Sequence, residues 1–260
     1  MQGYFAATYV LFFRILAGDQ VTAVLAEGEQ ALVLIRRTGN DLATTLQRIG
    51  LQVLKCLAGM TYGPSSLSDQ HFDEAVELSP QRCQAIPTAR LWYYLGKLML
   101  LLVSGELSAL WSMALQAEES AAGAAGLYII AELSFYYCLA GLRHCAQLPA
   151  ELRGEVLGKL VPHRDKIDAL ARDCPVNFAC KRELINAEWA RLHSDFAAAA
   201  AAYEQATAQA LQAGLPSCGA LAASLAAKMF RDLGWQSAAA DYLNRAQSEL
   251  AKWGVAKRIV

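Results

Sequence analysis

A tight helix break recurs along this chain at nearly constant spacing. Apolar helical stretches stop and restart at Ala17-Gly18-Asp19, Ser104-Gly105-Glu106, His193-Ser194-Asp195 and Leu233-Gly234-Trp235. Two further breaks, Gly63-Pro64 and Leu148-Pro149, contain proline, which cannot continue a helix interior. Between positions 18, 63, 105, 149, 194 and 234 the steps are 45, 42, 44, 45 and 40 residues. A period of this length marks stacked helical hairpins, each burying its apolar face only against its neighbours. The spacing predicts an all-α fold, a solenoid of about six hairpins.

Composition agrees. The 260 residues are 55% apolar and only 18% charged, against a usual charged share of about 25%. Ala and Leu dominate, and Val, Ile and Thr are too few for a large sheet. The formal net charge of −1 leaves no basic field to hold nucleic acid or anionic lipid. High hydrophobicity with near-zero net charge excludes intrinsic disorder. Residues 59–88 hold three of the seven prolines and read as a loop-rich insertion with at most one short helix, around His71 to Leu78. Residues 147–176 are the most polar span, with Arg164, Asp165, Lys166 and Asp168 on an exposed helix. Neither resembles a flexible linker, so residues 1–260 are expected to form a single helical-repeat domain.

Mean hydropathy is +0.23, which raises the question of a membrane span. The longest apolar runs are Gly3 to Ala17, Leu91 to Val103 and Leu127 to Leu142, each short of the roughly 20 residues a span needs. Each also carries a charge, at Arg14, Lys97 and Glu132, which is costly at bilayer depth. The start, Met1-Gln2-Gly3-Tyr4, lacks the cationic region of a secretory signal. The seven cysteines are odd in number and include no C-x-x-C pair. They fit free thiols in a reducing compartment, and the expected localisation is cytoplasmic.

Local signals place the helices. Between Phe178 and Leu192, Leu184, Ala187, Glu188 and Arg191 share one face, while Ile185, Trp189 and Leu192 form the opposite stripe. Asn177 is the expected N-cap of that helix, Ser194 or Asp195 of the next, and Ser217 of the one after. The six-alanine run Ala197 to Ala202 is expected to allow close helix–helix contact.

The hairpins resemble tetratricopeptide units with lengthened helices. Trp92, Leu95, Gly96 and Met99 match the first-helix pattern W-x-x-L-G-x-x-Y, with Met in place of Tyr. Ala187, Ala190, Ala199, Tyr203 and Ala206 match the following offsets, as do Ala227, Phe230, Ala239, Leu243 and Ala246. The best repeats are thus 178–214 and 217–253. Leu211 and Ala251 stand where such a repeat usually closes with proline.

The resemblance extends further. Cys174-Pro175-Val176-Asn177-Phe178, then Ala187-Glu188-Trp189-Ala190-Arg191, the hairpin through Tyr203, and the ending Ala239 to Lys257 are similar to the helical-repeat region of large bacterial multidomain signalling kinases. In that family a serine/threonine kinase and a STAND-type ATPase precede the repeats, and a GAF domain and sensor histidine kinase follow. The segment Tyr9 to Asn40 is similar to an upstream hairpin of the same region. The resemblance implies a right-handed α-solenoid of about six tetratricopeptide-like helical hairpins. Its implied role is a non-catalytic scaffold for protein–protein or interdomain contacts in bacterial signal transduction. The alternative is a ligand-sensing module of a STAND-type regulator, binding a small molecule in the solenoid. The chain has no G-x-x-x-x-G-K-[ST] loop, no H-R-D and no D-F-G, so it is expected to be a fragment of a larger signalling protein and not an enzyme.

No catalytic, cofactor-binding or metal-binding residue is assigned, and no cofactor is expected. Glu118-Glu119 and Glu27 with Glu29 are the closest acidic clusters and read as solvated surface. His71 and His163 lack a Ser or Cys partner, and His144-Cys145 is adjacent in sequence, which seldom places nucleophile and base in reach. Trp92, Tyr93, Tyr94 and Trp111 read as packing residues, with a ligand pocket as the alternative. A scaffold should present an open groove, a sensor an enclosed apolar pocket with a few convergent polar groups. An enzyme should show two titratable groups in reach of each other in a cleft. Tyr4, Phe5, Tyr9, Phe12 and Phe13 are expected to leave apolar surface at the N-terminal end, and with it self-association.

Overall fold

The computed structural model describes residues 2–78, 87–124 and 126–256, and the side chains from residue 6 onward. It is all helical: no strand occurs among the described residues, only an isolated bridge between Asp69 and Phe72. In chain order the helices are α1 (Gln2–Ala17), α2 (Val21–Arg36), α3 (Asp41–Leu57), α4 (Glu74–Glu77), α5 (Pro87–Ser104) and α6 (Leu110–Glu119). Then follow α7 (Ile129–Cys145), α8 (Arg153–Asp173), α9 (Pro175–Leu192), α10 (Phe196–Ala213), α11 (Pro216–Asp232) and α12 (Gln236–Trp253).

Five of the six sequence breaks fall at helix ends. They turn an inner helix into its outer partner: α1 to α2, α5 to α6, α7 to α8, α9 to α10 and α11 to α12. The sixth, Gly63-Pro64, follows α3, whose outer partner is replaced by a loop and the single turn α4. Of the expected insertion, residues 79–86 lie outside the described residues, and Pro87 and Thr88 already belong to α5. At the α11 end Gly234 takes a left-handed φ of +79°, which glycine adopts without strain. At the matching turn after α9, Ser194 holds φ +62°.

Inner and outer helices differ in how they bury. In α7 fifteen of seventeen residues are buried, so it is packed on every side. By contrast α8 buries only Val156, Leu160, Ile167 and Ala171 of its 21 residues, a single stripe. Pro162 sits on the exposed side of α8, where the carbonyl it leaves unpaired faces water. Small residues let the inner helices nest: a Cβ on Gly96 of α5 would lie 2.6 Å from Val53 of α3. Likewise Gly141 of α7 abuts Leu160 of α8.

Successive inner helices pack in order, α3 on α5, α5 on α7, α7 on α9 and α9 on α11. In addition α11 touches both α5 and α1, and α1 packs on α3. The last unit therefore meets the first. The Ala256 amide donates 2.8 Å to the Leu57 carbonyl, closing the other end of the same seam. These contacts bring the first and last helical units of the described chain together.

That closure also changes the N-terminal helix. Phe12 is buried and meets Trp92 edge-on at 3.8 Å between ring centres, with Tyr9 packed on the same indole at 5.1 Å. Val10 and Phe13 remain exposed. The expected apolar end surface is thus reduced to part of one helix; Tyr4 and Phe5 fall outside the described side chains.

Two caps are corrected and one agrees. Asp195 caps α10, accepting from the Ala198 amide at 3.0 Å. Helix α9 begins earlier than expected, with Pro175 in its first turn and Cys174 at the N-cap, so Asn177 lies inside the helix and donates to the Cys174 sulfur. Ser217 also lies inside its helix, behind Pro216, and its hydroxyl is spent on α1. Within the C-terminal repeat Tyr242, and not Leu243, is the buried residue, stacked 5.3 Å from Phe230.

Candidate functional site

The residues weighed from sequence do not converge. Glu27 and Glu29 are exposed, as is Glu119. His71 is exposed beside Asp69. His144 stacks on Trp111 at 5.7 Å, while burial raises the pKa of the Cys145 thiol, the opposite of nucleophile activation. Trp92 is core. Tyr93 donates to Glu74 at 2.8 Å and Tyr94 to Gln116 at 3.4 Å. Glu118 lies 3.6 Å from His163 Nε2. Burial holds His163 at a pKa of about 4, so near neutrality the ring is uncharged and this is no ion pair. Among the described residues no three His, Cys, Asp or Glu side chains gather as a metal site requires, and no helix is long and apolar enough to cross a membrane.

A concavity opens where α1 meets the later units. A cavity of about 340 Å³ is lined by Phe13, Leu16 and Ala17 of α1, Tyr128 before α7, Asn177 and Lys181 of α9, and Leu215 before α11. Its walls thus come from the first, fourth, fifth and sixth units. The convergence of helix ends explains it: α1 stops at Gly18, which is pressed against Pro216 and Ser217, leaving space over the first turns of α7 and α9.

A buried charge network forms the polar side of that cavity. Lys181 is ion-paired with Glu132 of α7, and both are almost fully buried. The Tyr128 hydroxyl donates 2.8 Å to the same Glu132 oxygen. The Lys181 ammonium also faces the rings of Phe178 and Phe135, at 5.3 and 5.5 Å. Burial opposes the charge on Lys181, but the Glu132 carboxylate outweighs it and raises the lysine pKa. Burial and then the same carboxylate raise Tyr128. These groups do meet the distance criterion set for an enzyme. Their shifts run the wrong way, since catalytic acids and bases are tuned towards neutrality and these are driven from it. The network holds a charge pair beside the cavity and offers it hydrogen-bonding groups.

A second buried network centres on Glu188. One of its oxygens accepts from Arg143 at 2.7 Å and from the Tyr203 hydroxyl, the other from Arg191 at 2.9 Å. It ties α7, α9 and α10 together away from the cavity. Both faces of α9 are therefore used, the Glu188 face as well as Ile185.

Glu132 and Lys181 were not singled out as site residues by sequence. The available signal was one charge in the long apolar run 127–142 and one charge directly after a buried cysteine. Comparison with models of protein families, with curated proteins and with solved structures finds no match.

Proposed function

We propose that this chain is a non-catalytic helical-repeat module that senses a small, mostly apolar molecule in the cavity between its first and last units. One observation carries this: the cavity where the first unit meets the later ones is mostly apolar, with a few polar residues, Lys181, Tyr128 and Asn177, in its lining. At about 340 Å³ it lies within the usual range for ligand sites. The Lys181–Glu132 pair leaves that wall without net charge, which favours a ligand with an apolar body and a hydrogen-bonding head. A molecule seated there touches α1 and the α9 and α11 units together, so occupancy would tighten the closure and report to whatever adjoins the chain. The resemblance to repeat regions of bacterial signalling proteins supplies the setting, cytoplasmic and beside nucleotide-driven domains.

The test is titration with anilinonaphthalene sulfonate, an apolar fluorophore with one acidic group. One saturable site is expected, weakened about tenfold or more by Ala17→Trp, which fills the chamber from the half-exposed end of α1. Absence of saturable binding, or equal affinity in the variant, overturns the reading.

The scaffold reading has its own support, in Val33 and Leu34 exposed side by side on α2. On that reading the outer face of the second helix contacts a partner protein, or a second copy. Concentration-dependent light scattering that Leu34→Glu abolishes is its expected signature.

A further inference from the structure

Cys180 and Cys218 pack against each other in a small buried cluster with Ala210, apart from the main core, with Leu215 against it. Cys180 is on the second turn of α9 and Cys218 on the first turn of α11, so two inner helices of successive units present thiols to one another. Their surroundings differ from those of the other buried cysteines. Cys56 faces the carbonyls of Gly63 and Pro64, and Cys138 the carbonyl of Leu160. The cluster lies behind the cavity wall: Lys181 follows Cys180, and Leu215 both lines the cavity and covers the thiols. A small oxidant in the cavity is therefore one side chain away.

We infer that Cys180 and Cys218 form a reversible disulfide that pins α9 to α11 when the chain meets a peroxide. The two thiols are not equivalent. Cys180 is the more acidic, favoured by hydrogen bonding with Cys218 and helped by the Lys181 ammonium, whereas Cys218 is driven up. That asymmetry assigns the steps. The Cys180 thiolate attacks one oxygen of hydrogen peroxide, the O–O bond breaks, and hydroxide leaves to become water. The product is a sulfenic acid on Cys180. The Cys218 sulfur then displaces its hydroxyl, the S–S bond forms, and a second water departs with the Cys218 proton. Two thiols have lost two protons and two electrons, and one peroxide has been reduced to two waters. A dithiol reductant returns both thiols. The inference is independent of any ligand in the cavity.

The experiment uses the whole wild-type chain. It is treated with hydrogen peroxide, free thiols are blocked, and the chain is mapped by non-reducing peptide mass spectrometry. A linked peptide pair containing Cys180 and Cys218, lighter by two hydrogens and split by dithiothreitol, is expected. The oxidised chain should also melt several degrees higher than the reduced chain, because the link restricts the unfolded ensemble. Cys218→Ser, which keeps a hydrogen-bonding group beside Cys180, should instead accumulate sulfenic acid on Cys180, trapped by dimedone. Blocked thiols at both positions after peroxide, linkage of either to a different cysteine, or oxidation beyond sulfenic acid without a link would each overturn the inference.

Discussion

The Ser217 hydroxyl donates a 2.9 Å hydrogen bond to the Leu16 carbonyl, across 201 positions of sequence. Beside it Gly18 takes φ +85°, and a Cβ there would stand 2.6 Å from the Ser217 backbone nitrogen. Gly39 offers a control, since it has φ +67° with nothing within 4 Å. Gly39→Ala should cost only the left-handed penalty, about 1–2 kcal/mol. Gly18→Ala adds a backbone clash and should cost clearly more, while Ser217→Ala should cost about 1 kcal/mol for one hydrogen bond. Urea denaturation of the three variants checks this. Equal losses at Gly18 and Gly39 would mean that the ends of the chain do not touch.

Glu188 is the shared acceptor for Arg143, Arg191 and Tyr203, and it is fully buried. Glu188→Ala strands two guanidinium groups and should destabilise by about 3–5 kcal/mol, the usual cost of breaking a buried pair from one side. Burial raises its pKa, but Arg143 and then Arg191 outweigh that and hold it below the ordinary value. A carboxylate with a depressed folded pKa contributes stability above its unfolded pKa of roughly 4.3 and loses it as pH falls through the folded value. Denaturant midpoints measured from pH 6 downward should therefore drop below about pH 4 in the wild type and fall less steeply in Glu188→Gln.

What was legible in the sequence follows the range of the forces involved. Gly18 and Gly234 obey local rules of φ and stand at real helix ends, and Pro149 falls between α7 and α8, whereas Gly63-Pro64 lies in the loop six residues beyond the end of α3. Asp195 caps its helix from three residues away, again locally. Ser217 and Asn177 looked equally good as caps, but Pro216 and Pro175 start their helices first, and Ser217 found a partner in α1. Phe12 looked like exposed end surface because its partner, Trp92, is 80 positions away. Glu132 and Lys181 carry the same letters as solvated charges, and only the approach of α7 to α9 turns them into a buried pair. The meeting of the first and last units was invisible for the same reason, since α1 and α11 are some 200 positions apart.

His163 provides a second, separable pH response. Its Nδ1 lies 3.1 Å from the Ser134 hydroxyl and its ring stacks 4.4 Å from Tyr137. Burial, with Lys166 nearby, lowers its pKa to about 4 from an unfolded value near 6.5. The folded state thus prefers the neutral ring, and protons bind the unfolded chain first. Stability should decline as pH falls from about 6.5 to 4 and stop declining from this source below that. Glu118, raised by burial, acts in the opposite sense as it takes up a proton. His163→Gln keeps a hydrogen-bonding group and should flatten the decline between pH 6.5 and 4. An unchanged slope in the variant would assign the decline to other groups.

Ser194 points to a gain in stability. It occupies the turn between α9 and α10 at φ +62°, while the equivalent turn between α11 and α12 has Gly234 at φ +79°. The surrounding pattern is the same in both: the Asp195 amide donates to Ala190 at 3.0 Å, and the Trp235 amide donates to Phe230 at 2.8 Å. Ser194 is exposed and its side chain has no role in either contact. An L-residue there carries about 1–2 kcal/mol of left-handed strain. Glycine removes it but adds about 0.5–1 kcal/mol of unfolded-state entropy. Ser194→Gly should therefore stabilise the chain by up to about 1 kcal/mol, and Gly234→Ser should destabilise it by a similar amount. Opposite shifts of the two melting temperatures check the equivalence of the turns. A fall in both would show that the α9–α10 turn is not held in the left-handed conformation.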